Sequence, residues 1–284
     1  MADSVRVLND GSTSFVKPLE EEMSIHTFLH KLTNTDVTEI VYLQSQDGNI
    51  YRSTASSSSE SNDPMKPQLA ALQPYIQRDI SWMLDAVGST AEAVNLWIGS
   101  SRSSTSLHHD PYENIYHVLS GSKTFTLISP IEGFWLDQQF HQPSTLQRTS
   151  DNNDLKPILD PPPAHKVPWV QSAQFPPTIS PLIITVTEGE TLFLPSGWWH
   201  RVDQQEGSEG LAVAVNYWYT AEIYPDRYAF ERFTRRIARE SGRDGVIPNP
   251  EDLEEDESGH LDDSDGVWDS GVSGEEWDPE DWGR

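Results

Sequence analysis

Thr105-Ser-Leu-His-His-Asp-Pro-Tyr-Glu-Asn-Ile-Tyr116 is the stretch on which the fold turns, and Leu194-Pro-Ser-Gly-Trp-Trp-His200 answers it much later in the chain. On an extended backbone, successive side chains point to opposite faces. His108 and Asp110 therefore share a face, and His109 points the other way, towards solvent or substrate. An imidazole beside a carboxylate, joined by a second imidazole from a distant strand, makes the two-histidine, one-carboxylate group. That group holds iron(II) on one side and leaves its other positions open. A His-x-Asp pair alone is a weak signal. His200 is the candidate third ligand, because it opens a strand after the tight Pro-Ser-Gly turn. The competing reading is a core histidine satisfied by backbone groups. With nine histidines in the chain, the residues alone leave that choice open. His117 and His141 carry no special role in this reading.

Around this stretch the chain has 284 residues, 36% of them hydrophobic, with ten Trp, nine Tyr and nine Phe. It can bury a sizeable core. The absence of cysteine excludes disulfides, thiolate metal sites and cysteine nucleophiles. No basic segment followed by an apolar one opens the chain, and no apolar run approaches the roughly 18–20 residues that span a bilayer. The expectation is a soluble protein of the cytoplasm or nucleus, with no membrane partner.

The net charge is −26, with sixteen acidic residues against two arginines in 241–284 alone. An acidic body argues against nucleic acid, whose affinity rests on Lys and Arg neutralising phosphates. Residues 241–284 are expected to be a disordered acidic tail, aliphatic-poor and without periodicity. Its Trp268, Trp277 and Trp282 allow a docking motif; the plainer reading is solubilising disorder.

Residues 5–16 read as a hairpin turning at Asn9-Asp-Gly11. The spacing of Ile25, Phe28, Leu29 and Leu32 predicts an amphipathic helix over 18–32, with acids in its first turns. Residues 39–44 read as a strand, 53–63 as a flexible surface loop, and 67–73 and 75–86 as helices broken by Pro74. A β-rich block follows at 93–98, 114–119, 124–128, 182–188, 191–194, 200–204 and 212–218. The polar, Pro-rich residues 130–181 read as a long insertion over one end of the sheet. A closing helix at 224–240 sets Phe230, Phe233 and Ile237 on one face. Many short strands with flanking helices and inward ligands predict a mainly β, cupin-like jelly roll (a double-stranded β-helix) over 1–240.

Four segments, in order, resemble the JmjC-domain 2-oxoglutarate oxygenases: Asn95-Leu-Trp-Ile-Gly, Thr105 to Tyr116, Ser120-Gly-Ser-Lys-Thr-Phe and Asn216-Tyr-Trp218. The likeness is greatest to the small stand-alone JmjC hydroxylases of the (3S)-lysyl type and runs from about residue 3 to 240. It implies iron(II) held by His108, Asp110 and His200. It implies 2-oxoglutarate as cosubstrate, its far carboxylate met by Lys123 with the hydroxyls of Thr105 and Tyr116. Asn114, Asn216 and Trp218 would line that pocket, and Tyr42 would stand near the cosubstrate or substrate. Set against that family the chain starts late, which puts folding, assembly or substrate binding in question.

The activity implied is hydroxylation of a protein side chain, lysine first, with translation-factor-type GTPases as the family's substrate class. Hydroxylation of another residue or lysine demethylation is the alternative within the enzyme class. Nothing in the residues supports a peptidase. A catalytically silent cupin-like scaffold is the reading from another class; it calls for a missing ligand or a missing Lys123, and all are present.

Overall fold

Alternating side chains on a few strands sort the interior into two layers. The computed structural model describes residues 3–8, 11–34, 39–44, 48–51, 69–149, 154–162, 165–170, 175–221 and 225–242. The strands are β1 (Ser4–Val7), β2 (Thr13–Lys17), β3 (Ala93–Gly99), β4 (Tyr112–Ser120), β5 (Ser122–Ile128), β6 (Gln138–Arg148), β7 (Leu155–Leu159), β8 (Val167–Val170), β9 (Leu182–Thr187), β10 (Thr191–Leu194), β11 (Trp199–Gln205) and β12 (Ala212–Thr220). The helices are α1 (Ile25–Thr33), α2 (Ser81–Val87) and α3 (Pro225–Glu240), with short 3₁₀ turns at Ala70–Tyr75 and Glu132–Trp135. One sheet runs β10-β4-β12-β3, a second β11-β5-β9, and a third β1-β2-β6-β7 with β8 also paired to β6. This is the mainly β, cupin-like architecture expected.

All seven residues of β3 are buried, because both faces are covered. Val94, Leu96 and Ile98 pack with Val215, Tyr217 and Tyr219 of β12 against Phe28 and Leu32 of α1 and Met83 of α2. The opposite faces send Trp97, Tyr116, Val118, Ala214 and Trp218 inward against Phe125 and Leu127 of β5 and Val186 of β9. Burying one such aromatic or aliphatic side chain contributes about 1.5–3 kcal/mol. The β4–β5 turn needs glycine: Gly121 has φ +75, and a Cβ there would stand 2.2 Å from the Gln205 carbonyl oxygen.

Several expectations change. Helix α1 begins at Ile25, not near 18, because the Ser24 hydroxyl caps it by accepting from the Thr27 N–H at 3.2 Å. The acids expected in its first turns lie before it, where Glu21 pairs with Arg148 at 2.9 Å. Residues 39–44 make only a bridge, Leu43 to Ile98. Pro74 sits inside the 3₁₀ turn, so the first of the two predicted helices is not an α-helix.

The largest correction concerns 130–181, which is not merely an insertion. It contributes β6, eleven residues long and parallel to β2, together with β7 and β8. The buried positions of β6 are His141, Pro143, Ser144 and Leu146, so no apolar alternation marks it. Pro157 is tolerated because β7 is an edge strand. Helix α3 forms as expected, but Phe230, Phe233 and Ile237 are exposed, and among its described side chains Thr234 and Ala238 are buried. The 53–63 loop and the tail beyond 242 lie outside the described residues. Among the described residues no helix is long and apolar enough to cross a membrane.

Candidate metal centre

Residues 105–108 run antiparallel beside β11. The Thr105 N–H donates to the Val202 carbonyl at 3.0 Å, the His108 N–H to His200 at 3.1 Å, and the His200 N–H to His108 at 2.7 Å. Residues directly opposed across an antiparallel pair share a face, as do residues two apart on one strand. His108 therefore meets His200 across the pair and Asp110 along the chain. The Gly197 N–H, in the Pro-Ser-Gly turn, donates to the Asp110 carbonyl at 2.9 Å and holds that turn against it.

The three side chains offer ligand atoms that all lie within 4.8 Å of one another. Asp110 Oδ2 stands 3.8 Å from His108 Nε2 and 3.6 Å from His200 Nε2. Each imidazole places Nδ1 against a carbonyl two residues back, His108 on Ser106 at 2.8 Å and His200 on Trp198 at 3.0 Å. A carbonyl can only accept, so Nδ1 carries the proton and the Nε2 lone pair faces the group. Burial, with His108 alongside, pulls His200 down from 6.5 to about 4, so it stays neutral. Two imidazoles and a carboxylate fit a divalent transition metal such as iron(II). His117 and His141 stand elsewhere, on Thr191 at 2.8 Å and Thr13 at 3.2 Å. His109 is exposed and edge-on to Trp199.

The open side of the group faces a cavity lined by Tyr42, Trp97, Thr105, Asn114, Tyr116 and Trp218, among others. Asn216 is its polar hub. The side-chain oxygen accepts from Trp97 Nε1 at 2.8 Å and Asn95 Nδ2 at 3.2 Å, while its Nδ2 donates to Asn114 at 3.1 Å. Thr105 Oγ1 accepts from the Val202 N–H at 2.9 Å, which leaves its own proton free to donate. Trp218 stacks on Tyr112, with centroids 5.0 Å apart, and its buried Nε1 has no hydrogen-bond partner. Burial raises the Tyr42 and Tyr116 phenols, so both stay protonated donors.

Lys123 does not itself line the cavity. It is wholly buried, and its Nζ donates to Gln204 Oε1 and lies 5.6 Å from the centroid of Tyr42. Burial lowers the amine from 10.5 to about 7, and among the described residues no carboxylate offsets it.

The profile of the family described as Cupin-like domain matches residues 2–224. The chain belongs to this cupin-like, JmjC-type family. Relatives include the Arabidopsis thaliana lysine-specific demethylase JMJ32, 33% identical over 64% of this chain and 57% of that protein. The human bifunctional peptidase and (3S)-lysyl hydroxylase JMJD7 is 29% identical over 86% of this chain and 72% of its own length. JmjC domain-containing protein E of Dictyostelium discoideum is 29% identical over 84% and 72%. The chain thus spans little more than half of the Arabidopsis relative.

Within this cupin-like chain, several site residues escape a reading of the sequence. Gln204 directly opposes Lys123 in the β11–β5 register, and its Nε2 is anchored on the Ser100 carbonyl at 3.0 Å and the Ser103 hydroxyl at 2.5 Å. Counting by twos from His200 along the strand reaches it. Asp3, Ser106 and Trp169 also line the cavity, and they carry no local signal. Burial raises the Asp3 carboxyl, with His108 pulling the other way.

Proposed function

We propose that this chain is an iron(II)- and 2-oxoglutarate-dependent dioxygenase that hydroxylates a side chain of a protein substrate, lysine first among them. The observation that carries this reading is a juxtaposition. A two-histidine, one-carboxylate group opens onto a cavity beside a buried ammonium that, among the described residues, lacks a carboxylate partner. A buried charge without an opposite charge is costly, and an anionic ligand removes that cost. The family membership and the lysine in the names of two relatives support the substrate class.

In this reading His108, Asp110 and His200 hold the iron, which with 2-oxoglutarate and dioxygen supplies the oxidation of a substrate C–H bond. The chain's own residues bind, orient and shield. Lys123 Nζ turns from Gln204 to the far carboxylate of 2-oxoglutarate, with hydroxyl protons from Thr105, Tyr42 and Tyr116 completing its shell. Asn114 and Asn216, fixed by their shared network, set the polar edge of the pocket. Trp97, Phe125 and Trp218 keep water out. No side chain need act as nucleophile. The name of JMJ32 favours a second reading, lysine demethylation, which uses the same residues on a methylated substrate.

The test is conversion of 2-oxoglutarate to succinate by purified protein with iron(II), ascorbate and oxygen, with unmodified and methylated lysine peptides added in turn. Turnover lost in His108→Ala and Asp110→Ala is expected. Peptide mass then separates hydroxylation (a gain of one oxygen) from demethylation. No turnover from protein with iron demonstrably bound would refute the oxygenase and favour a silent cupin-like scaffold.

A further inference from the structure

Beside His108 the cavity wall carries an acid that the proposed reaction does not use. Asp3 lies immediately before β1 and lines the cavity. Its position is fixed by the segment that bears His108: its main-chain carbonyl accepts from the Ser106 hydroxyl, and the Trp169 indole N–H donates to that same hydroxyl at 3.1 Å. Trp169 lies parallel to the His108 ring, 8° between planes and 6.0 Å between centroids, and packs on Phe15 at 4.7 Å. Among the described residues no donor bonds the Asp3 carboxylate. Lys17, which acts on it only at longer range, is paired with Asp160 at 2.6 Å.

The charges decide what this acid is for. Among the described residues, Asp3 and Asp110 are the acids that line the cavity, and Asp110 belongs to the metal group. A divalent metal, a 2-oxoglutarate dianion, the Lys123 ammonium and the Asp110 carboxylate sum to zero. Asp3 then leaves the loaded cavity with one negative charge in excess, beside aromatic rings whose faces attract cations. An uncompensated charge in a cavity is costly, and a cationic ligand group offsets it.

We propose that Asp3 receives the protonated amine of the substrate, making it the residue that selects a lysine-type side chain over a neutral one of the same shape. This rests on the oxygenase reading and adds a specificity residue to it.

The test uses oxygen-free protein loaded with manganese(II) and 2-oxoglutarate. End-blocked Gly-Gly-Lys-Gly-Gly and its norleucine counterpart are titrated by quenching of tryptophan fluorescence. The unaltered protein should prefer the lysine peptide by about tenfold or more, the scale of one charge-assisted hydrogen bond. Asp3→Asn and Asp3→Ser should bring the ratio close to one, and Asp3→Glu should keep most of it; thermal melts establish that each variant is folded. No preference in the unaltered protein, or a preference that Asp3→Asn and Asp3→Ser retain, overturns the proposal. Binding of 2-oxoglutarate to the unaltered protein, measured first, separates the two readings. Its absence removes the oxygenase itself; its presence with an unchanged preference in the variants removes only the role of Asp3.

Discussion

Lys123→Met separates what the buried ammonium costs the fold from what it does for an anionic ligand. In the unfolded chain this amine is protonated below 10.5; in the folded protein burial holds it at about 7. Folding therefore expels a proton between those values, and the cost grows as pH falls from 10.5 to 7, where it levels off. The displacement from 10.5 to about 7 corresponds to ~5 kcal/mol below pH 7. Methionine removes that cost but strands the Gln204 oxygen, worth about 1–3 kcal/mol. The metal-free variant should thus be more stable than the parent by ~2–4 kcal/mol at pH 7. That is on the order of 5–10 °C in melting temperature for a domain of this size. Urea unfolding should show the advantage shrinking as pH rises from 7 towards 10.5, where the parent amine is neutral in the folded protein and half neutral in the unfolded chain.

In the proposed oxygenase, the same displacement would make 2-oxoglutarate binding take up a proton. At pH 8 the free amine, titrating at about 7, is mostly neutral. An anion beside it restores the charge, so binding should take up about 0.9 proton and weaken by nearly tenfold for each further unit of pH. Calorimetry of manganese-loaded protein, in buffers of different ionisation enthalpy, counts those protons. Lys123→Met should show neither the uptake nor measurable affinity. An affinity that stays flat from pH 7 to 9.5, or a methionine variant less stable than the parent that still binds 2-oxoglutarate, would refute the reasoning.

The remaining expectations concern the metal group and its support. His200→Ala and Asp110→Ala should each abolish the rise in melting temperature that manganese(II) or iron(II) gives the parent, because a pair of ligands no longer caps one face of the ion. Apart from metal, His200 titrates at about 4 in the folded protein against 6.5 when unfolded. Its contribution is complete above pH 6.5 and is lost as pH falls towards 4, so His200→Asn should flatten the acid limb of the stability profile measured without metal. Asn216→Ala would strand the Trp97 and Asn95 donors and the Asn114 oxygen. At about 1–3 kcal/mol for each stranded group, some of it relieved by rearrangement, we expect a loss of ~3 kcal/mol in urea unfolding, with weakened 2-oxoglutarate binding.

How much of this was legible depends on whether a role is set within one segment or between segments. The His108–Asp110 pairing could be read because a strand places residues two apart on one face, and the same rule turned His109 outward. The strands of the two inner sheets could be read because their apolar residues alternate or run continuously. Strand β6 could not, since its buried positions are filled by His141, Pro143, Ser144 and Leu146, and small or polar residues satisfied by neighbours leave no periodic trace. The acids at Glu20 to Glu22 resembled the first turn of a helix until Ser24 proved to be its cap. Local charge resembles a helix signal here, but Glu21 belongs to a pair with Arg148, far along the same chain.

The site divides in the same way, and the division bears on which residues govern chemistry and which govern choice. The ligand group and the lysine are attached to strands whose register follows from their own pattern: once β11 pairs with β5, His200 faces Leu127, Val202 faces Phe125 and Gln204 faces Lys123. Their inner-facing side chains are thereby fixed together, so a single register determines both ends of the proposed cosubstrate pocket. Asp3 and Trp169 enter the same cavity from outside that register, through the β1–β2 and β6–β8 pairings and the Ser106 hydroxyl. Substituting these outer residues leaves the β11–β5 frame intact, whereas a slip of β11 by one residue would turn His200 and Gln204 away at once. In the proposed oxygenase, reactivity is therefore tied to the part of the chain that cannot shift without unfolding, and the proposed substrate preference to the part that can be changed side chain by side chain.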